Sequence, residues 1–206
     1  MLRVWGRTNS INVQKVMWAV GELGLAHQRI DAGGAFGGLD SADYGARNPN
    51  RRIPTIDDDG VVVWESNACV RYLAARYDAG GLWPEDPVVR ARADMWMDWQ
   101  QTTLIPDMTV VFWGLIRTPE DKRDHGAIDA AVKRLGGTWR VLENHLAGRR
   151  FVGGDRLTIG DIPVGATCYR YLGLPIDRPS LPNLEAWYER LKQRPAFREH
   201  VMLPIT

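Results

Sequence analysis

Over the first ~80 residues, short apolar runs alternate with stretches of helical period, the pattern of a small α/β unit. Leu2–Trp5 predicts a strand. In residues 10–24, Val13, Val16, Met17, Val20 and Leu23 recur at spacings of three and four, which predicts an amphipathic helix ending at Gly24. His27–Ile30 predicts a second strand, and the glycine-rich run from Asp31 to Asp40 a surface loop without a phosphate-binding pattern. Ile53-Pro54-Thr55-Ile56 and Val61–Trp64 flank Asp57-Asp58-Asp59-Gly60, a hairpin signal. Helical spacing resumes over Glu65–Tyr77 through Ala68, Val70, Tyr72 and Leu73.

Gly80-Gly81, Pro84 and Pro87 interrupt the pattern and predict a linker at about 78–87. This leaves one domain at 1–78 and a second at 88–206 that reads as helical almost throughout. Asp86 is placed to cap a long helix after Pro87 that runs through Met95, Trp96, Trp99 and Thr103, with a kink or break expected at Pro106. A second helix is expected from about Glu120 to Leu146, with Ile128, Ala131, Leu135, Trp139 and Leu142 on its apolar face and Gly136-Gly137 weakening its middle. Thr158-Ile159-Gly160-Asp161 reads as a helix start. Thr158 would cap, Asp161 would return a bond to its amide, and Leu157 and Ile162 would form a hydrophobic staple. A last helix is expected over about 183–193, with Leu184, Trp187, Tyr188 and Leu191 on one face.

Composition narrows the function. Twenty-six Lys and Arg against 25 Asp and Glu leave a net charge of +1, so no long-range field would recruit nucleic acid or an acidic membrane. The opening MLRVWGRTNS has no apolar stretch behind a basic start, and no run of ~18 apolar residues occurs, so neither a secretory leader nor a membrane span is expected. Two cysteines, Cys69 and Cys168, suit a reduced, cytoplasmic compartment. Nine tryptophans must serve as core anchors or as walls of a ligand site.

Missing motifs exclude further chemistry. The four histidines, at 27, 125, 145 and 200, stand at no metal-ligand spacing, so no metal is expected. There is no nucleophile elbow, no phosphate-binding loop and no C-x-x-C pair, which argues against hydrolase, triphosphatase and dithiol oxidoreductase activities. Two places remain. Pro54 is either an edge-strand proline or a cis residue whose turn offers the amide and carbonyl of Ile53 to a ligand. Glu65-Ser66 is either an ordinary helix cap or a receptor for an amino acid's two charged ends, with Glu65 meeting the ammonium and the helix N-terminus the carboxylate.

The order strand, helix, strand, loop, then N-P-x-R-R-I-P-T-I at 48–56, a hairpin and E-S-N-A at 65–68, resembles the thioredoxin-like domain of glutathione S-transferases. T-I-G-D at 158–161 is similar to the capping box of that family's all-helical second domain, and the resemblance spans essentially the whole chain. It implies an α/β plus all-α fold, glutathione as cosubstrate, a two-fold homodimer, and conjugation of the glutathione thiol to a small hydrophobic electrophile, with peroxide reduction as a neighbouring activity. The alternative is a non-catalytic member that binds glutathione or apolar ligands.

By resemblance, Ile53 pairs with the cysteinyl backbone beside cis-Pro54, Glu65 and Ser66 hold the γ-glutamyl end, and Arg52 meets the glycyl carboxylate or solvent. The catalytic position falls in Thr8-Asn9-Ser10-Ile11-Asn12, where relatives carry Tyr, Ser or Cys. Ser10 matches the serine of theta-like members, with Asn9, Asn12 and Thr8 as rivals, and its bland role is plain helix capping. A single charge-assisted hydrogen bond of ~1.5–3 kcal/mol would lower a thiol pKa of ~8.5 by about one to two units. No cysteine stands here, which argues against the reducing branches, and the serine-rich isomerase motif is absent. Met108, Thr109, Phe112 and Trp113 are expected to line the electrophile's pocket, between the loop of the first helix and the helices of the second domain. The helix carrying Trp96, Met97 and Trp99 is a candidate dimer face.

Overall fold

A computed structural model describes residues 1–206, which form two compact units. The first comprises Met1–Glu85 with Pro195–Leu203, and the second Asp86–Arg194 with Pro204–Thr206.

In the first unit, strands β1 (Leu2–Trp5), β2 (His27–Ile30), β3 (Thr55–Asp58) and β4 (Val61–Trp64) form one mixed sheet in the order β2-β1-β3-β4. β2 runs parallel to β1, so a crossover must join them, and helix α1 (Ile11–Glu22) supplies it. β3 pairs antiparallel with both β1 and β4. The hairpin turn falls on Asp59 and Gly60, both at positive φ, as a tight two-residue turn requires. β3 starts at Thr55, two residues later than the apolar run suggests, because Ile53 and Pro54 belong to the preceding loop.

Leu2, Val4 and Ile56 on the sheet pack with Val13, Val16, Met17 and Val20 of α1 and with Cys69 and Leu73 of helix α3 (Ser66–Tyr77). α1 ends through Gly24 at φ 62°, a backbone state that costs glycine little. The loop after β2 holds a single 3-10 turn, Gly34–Phe36, and then helix α2 (Ala42–Arg47), which the apolar pattern does not reveal. Its start signal is Ser41, whose hydroxyl accepts from the Tyr44 amide.

The second unit is helical: α4 (Pro87–Trp99), α5 (Ile105–Phe112), α6 (His125–Leu146), α7 (Asp161–Gly173) and α8 (Pro182–Lys192). Asp86 caps α4 as expected, accepting from the Val88 amide at 2.7 Å. Pro106 does not break the chain: π turns at Gln100–Leu104 and Trp113–Arg117 bracket α5. The wider turn before Pro106 accommodates a residue with no N–H to donate. α6 begins five residues later than the sequence pattern suggests, because Asp124 caps it through the Ala127 amide and 120–122 form a separate 3-10 turn. It runs unbroken over Gly136-Gly137.

The expected start at Thr158 is corrected in detail. α7 begins at Asp161, and the Thr158 hydroxyl donates to the Asp161 carboxylate instead of capping an amide, while the expected return bond from the Thr158 amide to Asp161 is present at 2.9 Å. On α4, Trp96 and Met97 are buried within the unit and present no exposed apolar stripe, and Met95 and Val88 are the large apolar residues exposed there. The chain past Arg194 leaves the second unit. Helix α9 (Pro195–His200) packs on α1, with Phe197 edge-on to Trp18 at 4.7 Å and Gly21 leaving room for Ala196 and His200. No helix is long and apolar enough to cross a membrane.

Candidate active site

Three segments of the first unit meet at one end of its sheet. Gly6, in the loop between β1 and α1, lies so close to Ile53 and Val13 that a side chain there would collide with Val13. The Ser66 hydroxyl, at the start of α3, donates to Asn12 Oδ1 on the first turn of α1 at 3.2 Å. The Asn50 amide donates to Glu65 Oε1 at 3.5 Å and ties the loop before β3 to the same place. All residues expected to handle glutathione lie on these segments.

The Ile53–Pro54 peptide is cis. Its loop is built by residues that periodicity cannot flag. The Tyr44 hydroxyl donates to the Arg52 carbonyl at 2.7 Å and pairs with Thr55 Oγ1 at 2.9 Å, and the Asn48 amide donates to the same two oxygens at 2.8 and 3.0 Å. Burial pushes the Tyr44 phenol upward, which keeps it a donor at neutral pH. Arg51, at φ 51°, donates to the carbonyls of Leu39 and Ser41 and fastens the glycine-rich loop. Arg52 itself is exposed, and what this fold uses is its carbonyl.

Glu65 adopts φ 66° and ψ 117°, a conformation costly for a residue with a Cβ. Such strain, of order 1–3 kcal/mol, persists where surrounding structure imposes it, and it clusters at ligand sites. Glu65 precedes α3 without a side-chain cap bond, so ordinary capping does not explain its carboxylate, which is exposed. Ser66 is 7% exposed and is the first residue of the helix, where backbone N–H groups are open to an anion.

At the start of α1, Ser10 occupies the N-cap position with extended backbone, but its side chain makes no capping bond. The helix uses only its backbone carbonyl, which accepts from the Gln14 amide at 2.9 Å. The capping role that competes for this hydroxyl is therefore not realised. Asn12 is held by Ser66. Thr8 is exposed and Asn9 half-buried, earlier in the same loop.

Neither cysteine offers a rival nucleophile. Cys69 donates to the Val63 carbonyl and Cys168 is fully buried on α7, and burial drives both thiols far above their usual range. In the second unit, Met108 and Phe112 are buried, with the Arg170 guanidinium 4.3 Å over the Phe112 ring, whereas Thr109 is exposed and Trp113 is 60% exposed. These four residues thus divide between the interior and the surface of one helical stretch.

Comparison with known proteins agrees with this layout. The profile of the glutathione S-transferase N-terminal domain matches residues 9–76, and that of the C-terminal domain residues 126–190. Glutathione S-transferase GstB of Escherichia coli strain K12 is 41% identical over 208 residues, covering all of both chains. Glutathione S-transferase D7 of Drosophila melanogaster is 33% identical over 157 residues, 75% of this chain and 68% of its own. Among solved structures, a theta class glutathione S-transferase from the citrus canker pathogen Xanthomonas axonopodis pv. citri, with glutathione bound, is 46% identical at a TM-score of 0.96, covering 100% of this chain and 99% of its own. With both family domains matched in order and relatives aligned end to end, this chain belongs to the glutathione S-transferase family.

Proposed function

We propose that the protein is a glutathione transferase: it binds glutathione in the first unit, favours the thiolate of that glutathione, and directs it at an electrophilic carbon of a hydrophobic substrate. The observation that carries this reading is the convergence of the cis Ile53–Pro54 loop, the strained Glu65 with Ser66, and an uncapped Ser10 at one end of the sheet. Glutathione bound to a solved relative that is 46% identical supports the choice of ligand.

In this reading the Ile53 amide and carbonyl pair with the cysteinyl backbone, as a strand edge would. The Glu65 carboxylate faces the γ-glutamyl ammonium, and the open N–H groups of α3 face its carboxylate. The exposed Arg52 guanidinium is in reach of solvent and is assigned the glycyl carboxylate. Ser10 then donates to the sulfur. Sulfur and proton separate before attack, so the new bond is sulfur to carbon, the leaving group departs with its electron pair, and the proton passes to solvent.

The protein's contribution is orientation together with stabilisation of one negative charge. Met108, Thr109, Phe112 and Trp113 are assigned to the electrophile's wall, with peroxide reduction by the same thiolate as a second use. The active form is assigned as a homodimer in the cytoplasm, with exposed Val88 and Met95 on α4 available for association.

An ultraviolet difference titration of glutathione at saturation, from about pH 5 to 9, tests the reading around the free-thiol reference value. A bound thiol that ionises about one unit or more below free glutathione supports an activating enzyme. Ionisation at the free value, with binding intact, would leave a glutathione-binding protein without thiol activation.

A further inference from the structure

Helix α1 carries a polar residue on its buried side. Gln14 follows Val13 and precedes Val16 and Met17, and it is 3% exposed. Its buried amide oxygen has no hydrogen-bond partner in the fold. A buried carbonyl without a donor is costly, and such groups are few in a folded chain. Gln14 also lines a cavity of about 280 Å³ within the first unit, bounded by α1, the edge strand β2 and residues 199–203. That volume is near the small end of ligand pockets and several times the ~30 Å³ share of one water. The cavity lies apart from the glutathione segments, because β2 is one edge of the sheet and the Ile53 loop enters β3 on the other side of β1.

The rest of the polar lining is short of donors. Arg29 is the one cation on it, and its guanidinium is engaged by the Gly6 carbonyl and the Asp31 carboxylate. The His27 Nδ1–H donates to the Leu25 carbonyl at 2.9 Å, which leaves the neutral ring a bare lone pair on Nε2. His200 Nε2 lies 3.8 Å from Glu199 Oε1. Burial holds that imidazole below its usual range, so at neutral pH it does not cancel the Glu199 charge. The Thr8 hydroxyl can give or take. Val13, Met17 and Leu203 make the apolar part of the wall.

We infer that this cavity is a second ligand site, separate from that of glutathione, and that it takes a small organic ammonium with a short apolar body. An ammonium brings three N–H donors and one positive charge, and the lining offers Glu199, the Gln14 amide oxygen and His27 Nε2 as acceptors. Its carbon skeleton meets Val13, Met17 and Leu203. An anion of the same size would face the Glu199 carboxylate with no uncommitted cation to hold it. The site stands independently of the transferase reading.

Calorimetric titration of the full chain with benzylammonium chloride at neutral pH tests this, with S-hexylglutathione present to occupy the glutathione and electrophile sites. Benzylammonium should bind with a Kd below about 1 mM. Benzyl alcohol, which lacks the charge, and phenylacetate, which reverses it, should each bind at least tenfold more weakly. Gln14→Leu and Glu199→Gln should each weaken benzylammonium binding about tenfold or more, the loss of one hydrogen bond to a charged group. Gln14→Leu replaces an unpaired buried amide with an apolar side chain of similar size, so its Tm should not fall below that of wild type, and the exposed Glu199 gives a variant whose folding is not in question. No binding of benzylammonium to folded wild type, undiminished affinity in Glu199→Gln, or a preference for phenylacetate would each overturn the inference and leave the transferase reading untouched.

Discussion

The Trp187 indole donates to Asp161 Oδ1 at 2.9 Å, joining α8 to the first residue of α7 inside the core of the second unit. Asp161 is fully buried and accepts from four donors. The Val152 amide and Trp187 share one carboxylate oxygen, and the Thr158 amide and hydroxyl share the other. Burial pushes its pKa up to about 6 against the pull of those four bonds. A folded pKa above the unfolded value means that the group's contribution to stability is complete below about 3.8 and is lost as pH rises through about 6.

Asp161→Asn should therefore destabilise the protein at neutral pH by about 2–4 kcal/mol, because its NH2 would confront either the two Thr158 donors or the Val152 and Trp187 donors. The gap to wild type should widen as pH falls from about 7 to 4.5, since only wild type takes up the proton. Urea denaturation of both proteins across this range measures it. A gap that does not change with pH would mean that the Asp161 carboxyl titrates at its unfolded value.

Ser10→Ala should reduce kcat by about tenfold or more, the loss of one transition-state hydrogen bond of ~1.4 kcal/mol or greater, with glutathione affinity nearly unchanged. Because the Ser10 side chain makes no capping bond, the same variant should lose little stability. Steady-state kinetics beside thermal melting separate the two effects. Unchanged turnover would remove Ser10 from the thiol-activating role.

Glu65→Gly sets strain against function. Glycine accepts φ 66° without penalty, and relief of roughly 1–3 kcal/mol of strain exceeds the roughly 0.5–1 kcal/mol of extra backbone entropy, so the variant should be as stable as wild type or more so. Its glutathione affinity should fall about tenfold or more with the carboxylate gone, as calorimetric titration would record. A large loss of stability would show that Glu65 is held for structural reasons.

Both cysteines should resist thiol reagents in the native protein and react stoichiometrically once it is unfolded, because burial suppresses their thiolates. A chromogenic disulfide reagent followed with and without denaturant checks this. Rapid native labelling of either residue would mean that its surroundings open on the timescale of the assay.

Strands β1, β2 and β4, the hairpin turn, α1 and the cap of α4 were legible in the sequence because each rests on local chemistry: apolar period, an Asp-Gly pair at the turn, an aspartate before a proline. The segments of the site were legible too, since Ile53-Pro54, Glu65-Ser66 and the polar run 8–12 stand out against an otherwise ordinary pattern. What tertiary structure decided is how polar side chains are used. Tyr44 and Asn48 look like surface loop residues until both reach the Arg52 carbonyl and Thr55. Glu143 lies on a helix that reads as amphipathic, yet its carboxylate accepts from the Leu184 and Asn183 amides at the start of α8. α9 carries too short a pattern to place alone, and it joins the first unit through Phe197 against Trp18 and through Ala196 and His200 against Gly21. Periodicity reports which face of an element avoids water. A hydrogen bond such as that from Ser66 to Asn12 depends on two helix ends meeting to within an ångström, and no pattern along a single chain encodes that distance.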